Sequence, residues 1–306
     1  MSLKLSIVAP VYNEATVLET FISEIVTVLE SINVPFEIIL SNDGSTDETE
    51  RIISRLAKRD SRILGINLSR NFGQHAAISA GINRALGDFI VVMDSDLQDD
   101  PEAIKHLLKE IERGFDIVFV ARTNRKVSNL YTFFQFLFYK FLNLISDLSF
   151  DRRFGNYSII SKRVREAYIN LNDSIKYYPA ALRWLGFSTS NVNFEQRRRK
   201  IDTHPKYNFR SRLRLAFEII VSHSRKPLHL AILLGGFIGL IGVFIGVVVL
   251  WLHVNNRLTQ PGWASLFVTI ITLSGGQLFT LGIFGLYIGD IANSSQRKPH
   301  YIEKID

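Results

Sequence analysis

The chain contains no cysteine in 306 residues. That excludes disulfide staples, zinc–thiolate centres and thiol nucleophiles. No Gly-x-Gly-x-x-Gly follows its first apolar run, where Pro10-Val11-Tyr12-Asn13-Glu14 stands instead. The phosphate-cradling turn of a dinucleotide-dependent oxidoreductase is therefore missing. No internal repeat or low-complexity segment occurs, and the opening MSLKLSIVAP has no cleavage-site pattern, so no signal peptide is expected. Charge is absent from two long stretches, Leu228–Leu252 and Pro261–Gly289. Each exceeds the roughly 20 apolar residues that a membrane-spanning helix requires.

Elsewhere charge is plentiful. Charged residues make up 21% of the chain beside 47% hydrophobic ones, and the net charge is +7. Such an average hides two unlike parts, and the basic excess points to an anionic partner. Nucleic acid is the generic reading of that excess. The basic residues concentrate near the uncharged stretches, however, so a membrane surface is the better partner and no nucleic acid is expected. Arg225 and Lys226 precede the first stretch, Arg297 and Lys298 follow the second, and the short linker from His253 to Gln260 has only Arg257. The positive-inside rule then places both termini in the cytoplasm, with helices at about 228–252 and 262–289 forming a hairpin in a cell inner (plasma) membrane. Gly235 with Gly239, Gly242 with Gly246, and Gly285 with Gly289 give small-residue spacings that suit close helix approach and a homo-oligomer such as a tetramer.

The residues before the hairpin alternate between strand and helix patterns. Short Ile- and Val-rich runs at Leu3–Ala9, Phe36–Ser41, Arg62–Leu68, Asp88–Asp94 and Phe115–Val120 are bounded by turn residues. Helical patterns lie near Ala15–Ser31, Thr46–Arg59, Gln74–Leu86 and Pro101–Arg113. The expected fold class is α/β, a mostly parallel sheet covered on both faces. The expected organisation is a cytoplasmic domain over 1–208 with an interfacial helix at 128–146, then a juxtamembrane amphipathic helix at 209–226, the hairpin within 227–292 and a cytoplasmic tail at 293–306. The interfacial stretch is aromatic and aliphatic with Lys140 its only charge; the juxtamembrane one sets Arg210, Arg212 and Arg214 opposite Leu213, Phe217 and Ile220.

Ligands of such sheets sit beyond the carboxyl ends of the strands. Glu14 follows the first strand, Asp43 the second, and Asp94-Ser95-Asp96-Leu97-Gln98 the fourth. Each has an ordinary reading too: Asp43-Gly44 is a common turn, Ser45 with Glu48 fits a capping box, and Asp100-Pro101 fits a helix start. Their coincidence on one rim is the informative feature. Asp94 and Asp96, two apart in extended chain, leave the same face. Two hard oxygen ligands suit Mg²⁺ or Mn²⁺, which keeps waters and takes substrate phosphate oxygens. Asp43 suits a nucleobase N–H.

PVYNE, NDGSTD, LSRNFGQHAAISAGINRALGD and DSDLQDDPE, in this order and with the hairpin after them, resemble family 2 glycosyltransferases of the GT-A fold. More narrowly they resemble polyprenyl-phosphate glycosyltransferases. The resemblance implies an inverting transfer from a nucleotide-sugar, UDP-linked in the bactoprenol branch, to a polyprenyl phosphate. It implies that Pro10, Tyr12, Glu14, Asp43 and Ser95 line the nucleotide and that Asp94, Asp96 and Gln98 surround the metal. It assigns Arg122 to donor or acceptor phosphate; Arg125 and Lys126 join it on charge. Lys206, with Tyr207, matches the end of a motif that closes over the donor. Lys200, Thr203 and Pro205 stand where the family shows arginine, glycine and serine, and Asn156 stands where many members have an acid. A lipid phosphate, mostly ionised at cytoplasmic pH, needs no general base. Other readings are a GDP-mannose-dependent enzyme, a processive polysaccharide synthase and a nucleotide-binding membrane scaffold. The synthase reading lacks Gln-x-x-Arg-Trp, since Arg183-Trp184 has no glutamine three before the arginine; the scaffold reading leaves the acidic pair unexplained.

Overall fold

The computed structural model describes residues 4–123, 154–171, 177–195, 197, 226–255, 262–295 and 299–304. They fall into two units. The first unit is built on a seven-stranded sheet: β1 Leu5–Val11, β2 Phe36–Asn42, β3 Ile63–Asn67, β4 Phe89–Val92, β5 Ile117–Thr123, β6 Phe154–Ser161 and β7 Thr189–Glu195. Its spatial order is β3-β2-β1-β4-β6-β5-β7. Every pairing is parallel except those of β6, which runs antiparallel to both β4 and β5.

Alternate residues of the central strands enter opposite cores because successive side chains leave opposite faces. In β1, Leu5, Ile7, Ala9 and Val11 join one cluster while Val8 joins the other. Helices α1 (Leu18–Ile32), α2 (Thr49–Arg59) and α4 (Ala103–Ile111) cover the first face. Helices α3 (Gln74–Arg84), α5 (Lys162–Ile169) and α6 (Tyr178–Trp184) cover the second. Burial on both faces explains why β1, β2 and β4 read as continuous apolar runs rather than alternating ones.

The five expected strands are all present, with ends displaced by up to three residues. Strands β6 and β7 and helices α5 and α6 were not foreseen. The capping box expected at Ser45 and Glu48 does not form. The Ser45 hydroxyl donates to Asn42 Oδ1 (2.5 Å) and accepts from the Asn13 N–H (3.0 Å). The start of α2 is set instead by Asp47, whose Oδ1 accepts the Thr49 N–H at 3.0 Å. The helix start expected at Asp100-Pro101 is two residues early, although Asp100 Oδ1 does accept the Glu102 N–H.

Asp116, 4% exposed at the start of β5, fastens the new strands to the old. Its carboxylate takes the Arg163 guanidinium, the Ser188 hydroxyl (2.6 Å) and the Ser161 hydroxyl (3.3 Å). Hydrogen bonding from Arg163, and then from Ser188, holds its pKa below the usual carboxylate range against the opposing effect of burial. A lowered folded-state pKa stabilises above the ordinary carboxylate value and loses that contribution as pH falls through the lowered one. Asp116→Ala is therefore expected to cost about 2 kcal/mol at pH 7, read by urea unfolding. The difference from the parent chain should shrink as the pH is taken below the ordinary carboxylate value.

The second unit holds α7 (Lys226–Val254) and α8 (Trp263–Ser295), helices of 29 and 33 residues that contact each other. Among the described residues no helix is long and apolar enough to cross a membrane. The spanning hairpin expected at 228–252 and 262–289 therefore rests on the sequence alone. Gly235, Gly242, Gly285 and Gly289 have nothing within 4 Å of where a Cβ would stand, whereas Gly276 lies 3.5 Å from Ile238. The interfacial helix at 128–146 and nearly all of 209–226 lie outside the described residues.

Candidate active site

Three strand exits come together on one rim of the sheet, stitched by hydrogen bonds across long sequence distances. After β1, Asn13 adopts a left-handed backbone (φ 53°) and its Oδ1 accepts the Thr46 N–H beyond β2 at 2.9 Å. The Glu14 N–H donates to Thr49 Oγ1 (3.0 Å) and the Ala15 N–H to Asp47 Oδ2 (3.3 Å). The exits of β1 and β2 are thereby one structure. The exit of β4 joins them through Ser95, whose hydroxyl donates to the Pro10 carbonyl at 2.9 Å. Ser95 is 4% exposed, so its side chain belongs to this frame.

Asp43 is almost fully buried behind the rim. Its Oδ1 accepts the Phe72 N–H (2.7 Å) and the Gly73 N–H (3.2 Å), and Oδ2 accepts the Gly73 N–H at 3.0 Å. Burial raises its pKa, opposed by those two backbone donors and by Arg70. Much of the acceptor capacity that the sequence reading reserved for a nucleobase thus holds the 70–73 segment. Gly44 explains how the segment fits. With φ +64°, a Cβ there would lie 2.4 Å from the Arg70 carbonyl carbon and 2.6 Å from the Asn71 nitrogen. Only glycine lets the two backbones approach so closely.

The acidic pair after β4 is held from several sides. Gln74, the first residue of α3, donates from Nε2 to Asp94 Oδ1 at 2.7 Å, and Asn156 of β6 donates from Nδ2 to the same oxygen at 3.3 Å. The Asp94 N–H donates to Asp99 Oδ2. Asp96 accepts the Gln98 N–H (3.2 Å) and the Gln98 side-chain amide (2.7 Å). The turn between them passes through Leu97 at φ 63°, a strained conformation for a branched residue that the packing must enforce. Arg197 braces the loop's base: its N–H donates to the Gln98 carbonyl, and its guanidinium bonds Glu24 of α1 (2.6 Å) and Asp100 (2.7 Å).

Among the expected residues, Pro10, Tyr12, Glu14, Asp43, Asp94, Ser95, Asp96 and Gln98 therefore share the exits of β1, β2 and β4. Arg122 lies near the end of β5. Arg125, Lys126, Lys200 and Lys206 lie outside the described residues. Gln74, Arg197 and the Phe72–Gly73 backbone were not anticipated as parts of the site, and Asn156 was noted only for the acid it replaces. Their bonds span between 20 and 173 residues of sequence, a reach that periodicity does not register. His75, half-buried beside Gln74 with its ring edge-on to Tyr177, has a pKa lowered to about 4 by desolvation of the ring. It is neutral at physiological pH and supplies no positive charge for a phosphate.

What this rim can do chemically is bind a diphosphate through a hard cation. Two carboxylates are oriented by amide donors from Gln74, Asn156 and Gln98. Such a donor set fits an octahedral cation that keeps waters and phosphate oxygens in its shell.

Residues 6–169 match the family described as Glycosyl transferase family 2. The uncharacterized glycosyltransferase YkcC of Bacillus subtilis is 33% identical over 301 residues, covering 97% of this chain and 92% of that protein. The undecaprenyl-phosphate 4-deoxy-4-formamido-L-arabinose transferase of Salmonella choleraesuis is 31% identical over 305 residues, covering 97% and 92%. Among solved structures, mannosyl-3-phosphoglycerate synthase from Rubrobacter xylanophilus superimposes with a TM-score of 0.51 at 14% identity, covering 84% of this chain and 76% of that one. This last likeness concerns the fold. With a family match across more than half of its residues and full-length relatives above 30% identity, the chain belongs to glycosyl transferase family 2 and is a glycosyltransferase.

Proposed function

We propose that the chain transfers a sugar from a nucleotide-sugar, UDP-linked, to a polyprenyl monophosphate at the cytoplasmic face of a membrane. The observation that carries this reading is the union of Asp43 and the Asp94–Asp96 pair on one hydrogen-bonded rim. The acceptor is supported by the relative named for undecaprenyl phosphate. Membrane placement is supported by the sequence of the hairpin and by side chains such as Phe237, Leu240 and Phe244, which are 62–71% exposed on α7. Apolar surface of that kind is stable against lipid or a partner, not water. The basic flanks support a cytoplasmic side for both termini.

In this reading Asp94 and Asp96 hold Mg²⁺ or Mn²⁺, with Gln98 keeping Asp96 in place. The cation, when bound, neutralises the departing diphosphate. Pro10, Tyr12, Glu14 and the Asp43 region enclose the nucleoside, and Lys200 and Lys206 close over the donor. Arg122, Arg125 and Lys126 draw in the lipid phosphate. An oxygen of that phosphate forms the new bond to the anomeric carbon from the side opposite the leaving group. The bond from that carbon to the diphosphate breaks, its electron pair leaves with the nucleoside diphosphate, and the configuration inverts. The attacking phosphate is already ionised at neutral pH because its second pKa is near ~6, so Asn156, which accepts no proton, is compatible with the step. The membrane-bound chains assemble as homo-oligomers.

Incubating the full-length protein in bilayers with bactoprenyl phosphate, Mn²⁺ and a panel of radiolabelled UDP- and GDP-sugars tests this directly. One UDP-sugar should give an organic-extractable product. Label entering lipid from a GDP-sugar alone would overturn the donor assignment, and transfer only to a sugar hydroxyl would overturn the acceptor.

A further inference from the structure

Residues 301–304 return to the catalytic unit and extend its sheet beyond β3. Leu68 and Glu303 form an antiparallel bridge. The Ser69 N–H donates to the Ile302 carbonyl at 2.8 Å, and the Lys304 N–H donates to the Asn67 carbonyl at 2.7 Å. Side chains fasten the strand to the helices on both faces. Glu303 pairs with Arg84 at the end of α3 (2.6 Å), the Tyr301 hydroxyl accepts from Asn83 (3.3 Å), and Lys304 pairs with Glu50 of α2 (2.7 Å). Tyr301 also packs against the core on the α3 face.

The place of attachment is informative. Asn67, Leu68 and Ser69 lead straight into the 70–73 segment whose Phe72 and Gly73 N–H groups bond Asp43. Asn67 Oδ1 also accepts from Asn42 Nδ2 at 2.9 Å, one residue before Asp43. A β3 edge capped here has its exit fixed as well as its edge covered. The 70–73 backbone, pressed against Gly44, has its near end set by the returning strand and its far end set by α3.

We propose that residues 301–304 are a positioning strap for the nucleotide end of the site: they hold the 70–73 segment against Asp43 and so set affinity for the donor nucleotide. The proposal rests on the reading that this rim binds nucleotide. The strap touches no substrate and acts through the loop.

The test uses the full-length protein with UDP and Mn²⁺ as the probe, together with hydrogen exchange of the 70–74 segment. Lys304→Pro removes the N–H bonded to Asn67, whereas Lys304→Gln keeps it and loses the ammonium that pairs with Glu50. The expected result for Lys304→Pro is at least tenfold faster exchange at Phe72 and Gly73 and at least fivefold weaker UDP binding, with exchange across α1 unchanged. Lys304→Gln should stay within twofold of the parent. Glu303→Arg, which sets like charges at Arg84, should weaken UDP binding in the same direction, and adding Arg84→Glu should restore it. Unchanged exchange at residues 72 and 73 in Lys304→Pro overturns the strap. So does faster exchange with UDP affinity unchanged. If the parent chain fails to bind UDP, the functional reading falls, and the exchange measurement still decides whether the loop is strapped.

Discussion

Asp96→Ala is expected to lower sugar transfer by about 10³-fold while leaving the melting temperature within a few degrees. The loss should appear in kcat more than in the acceptor KM. Asp96 lies partly open at the exit of β4 and accepts hydrogen bonds from the backbone and the side chain of Gln98. Removing it takes away a hard oxygen where charge develops on the leaving diphosphate, without emptying any core. Asp94→Ala should have a comparable effect on turnover and a larger one on stability, because Gln74 and Asn156 lose their shared acceptor. A buried donor left unsatisfied costs about 1–3 kcal/mol. A variant lacking Asp96 that turned over at the parent rate would remove the acidic pair from the mechanism.

Gly44→Ala should be the most damaging single-methyl change in the catalytic unit. Position 44 has φ +64°, and the added carbon would meet backbone atoms of Arg70 and Asn71 at 2.4–2.8 Å. Backbone cannot swing aside as a flexible side chain does, so the 70–73 segment must move. Strain at a left-handed alanine and overpacking together come to roughly 3 kcal/mol, a fall of about 6–10 °C in Tm for a unit of this size. The functional loss should exceed what stability predicts. A displaced segment takes the Phe72 and Gly73 donors from Asp43 and spoils the nucleotide end of the rim. At a temperature where the variant remains folded, UDP affinity is expected to drop at least tenfold. Thermal melting and UDP titration on the same sample check both parts; an unchanged affinity would mean that the segment does not shape the site.

The sequence exposed the site more fully than the frame around it. Strands β1, β2 and β4 are buried on both faces and bounded by turns, so their ends could be located, and the rule that ligands gather at those ends picked out Glu14, Asp43, Asp94 and Asp96. β7 was illegible for the opposite reason. Its TSNVNFE is polar, alternates between exposed and half-buried, and occupies the sheet edge. FGNYSIIS, the run that becomes β6, gave no sign of its antiparallel insertion between β4 and β5. Ser45 looked like a helix cap because its spacing to Glu48 was right, but a partner 32 residues away, Asn13, claimed the hydroxyl. The same long-range competition hid Gln74, Arg197 and the returning strand at residues 301–304.

The proposed transfer depends on a cation-dependent nucleotide site at the exit of β4. Titrating UDP into the full-length protein with and without Mn²⁺ measures that claim most directly. Binding at least tenfold tighter with Mn²⁺ than in its absence, and a loss of that difference in Asp96→Ala, is the predicted result. Equal UDP affinity with and without Mn²⁺ would contradict it.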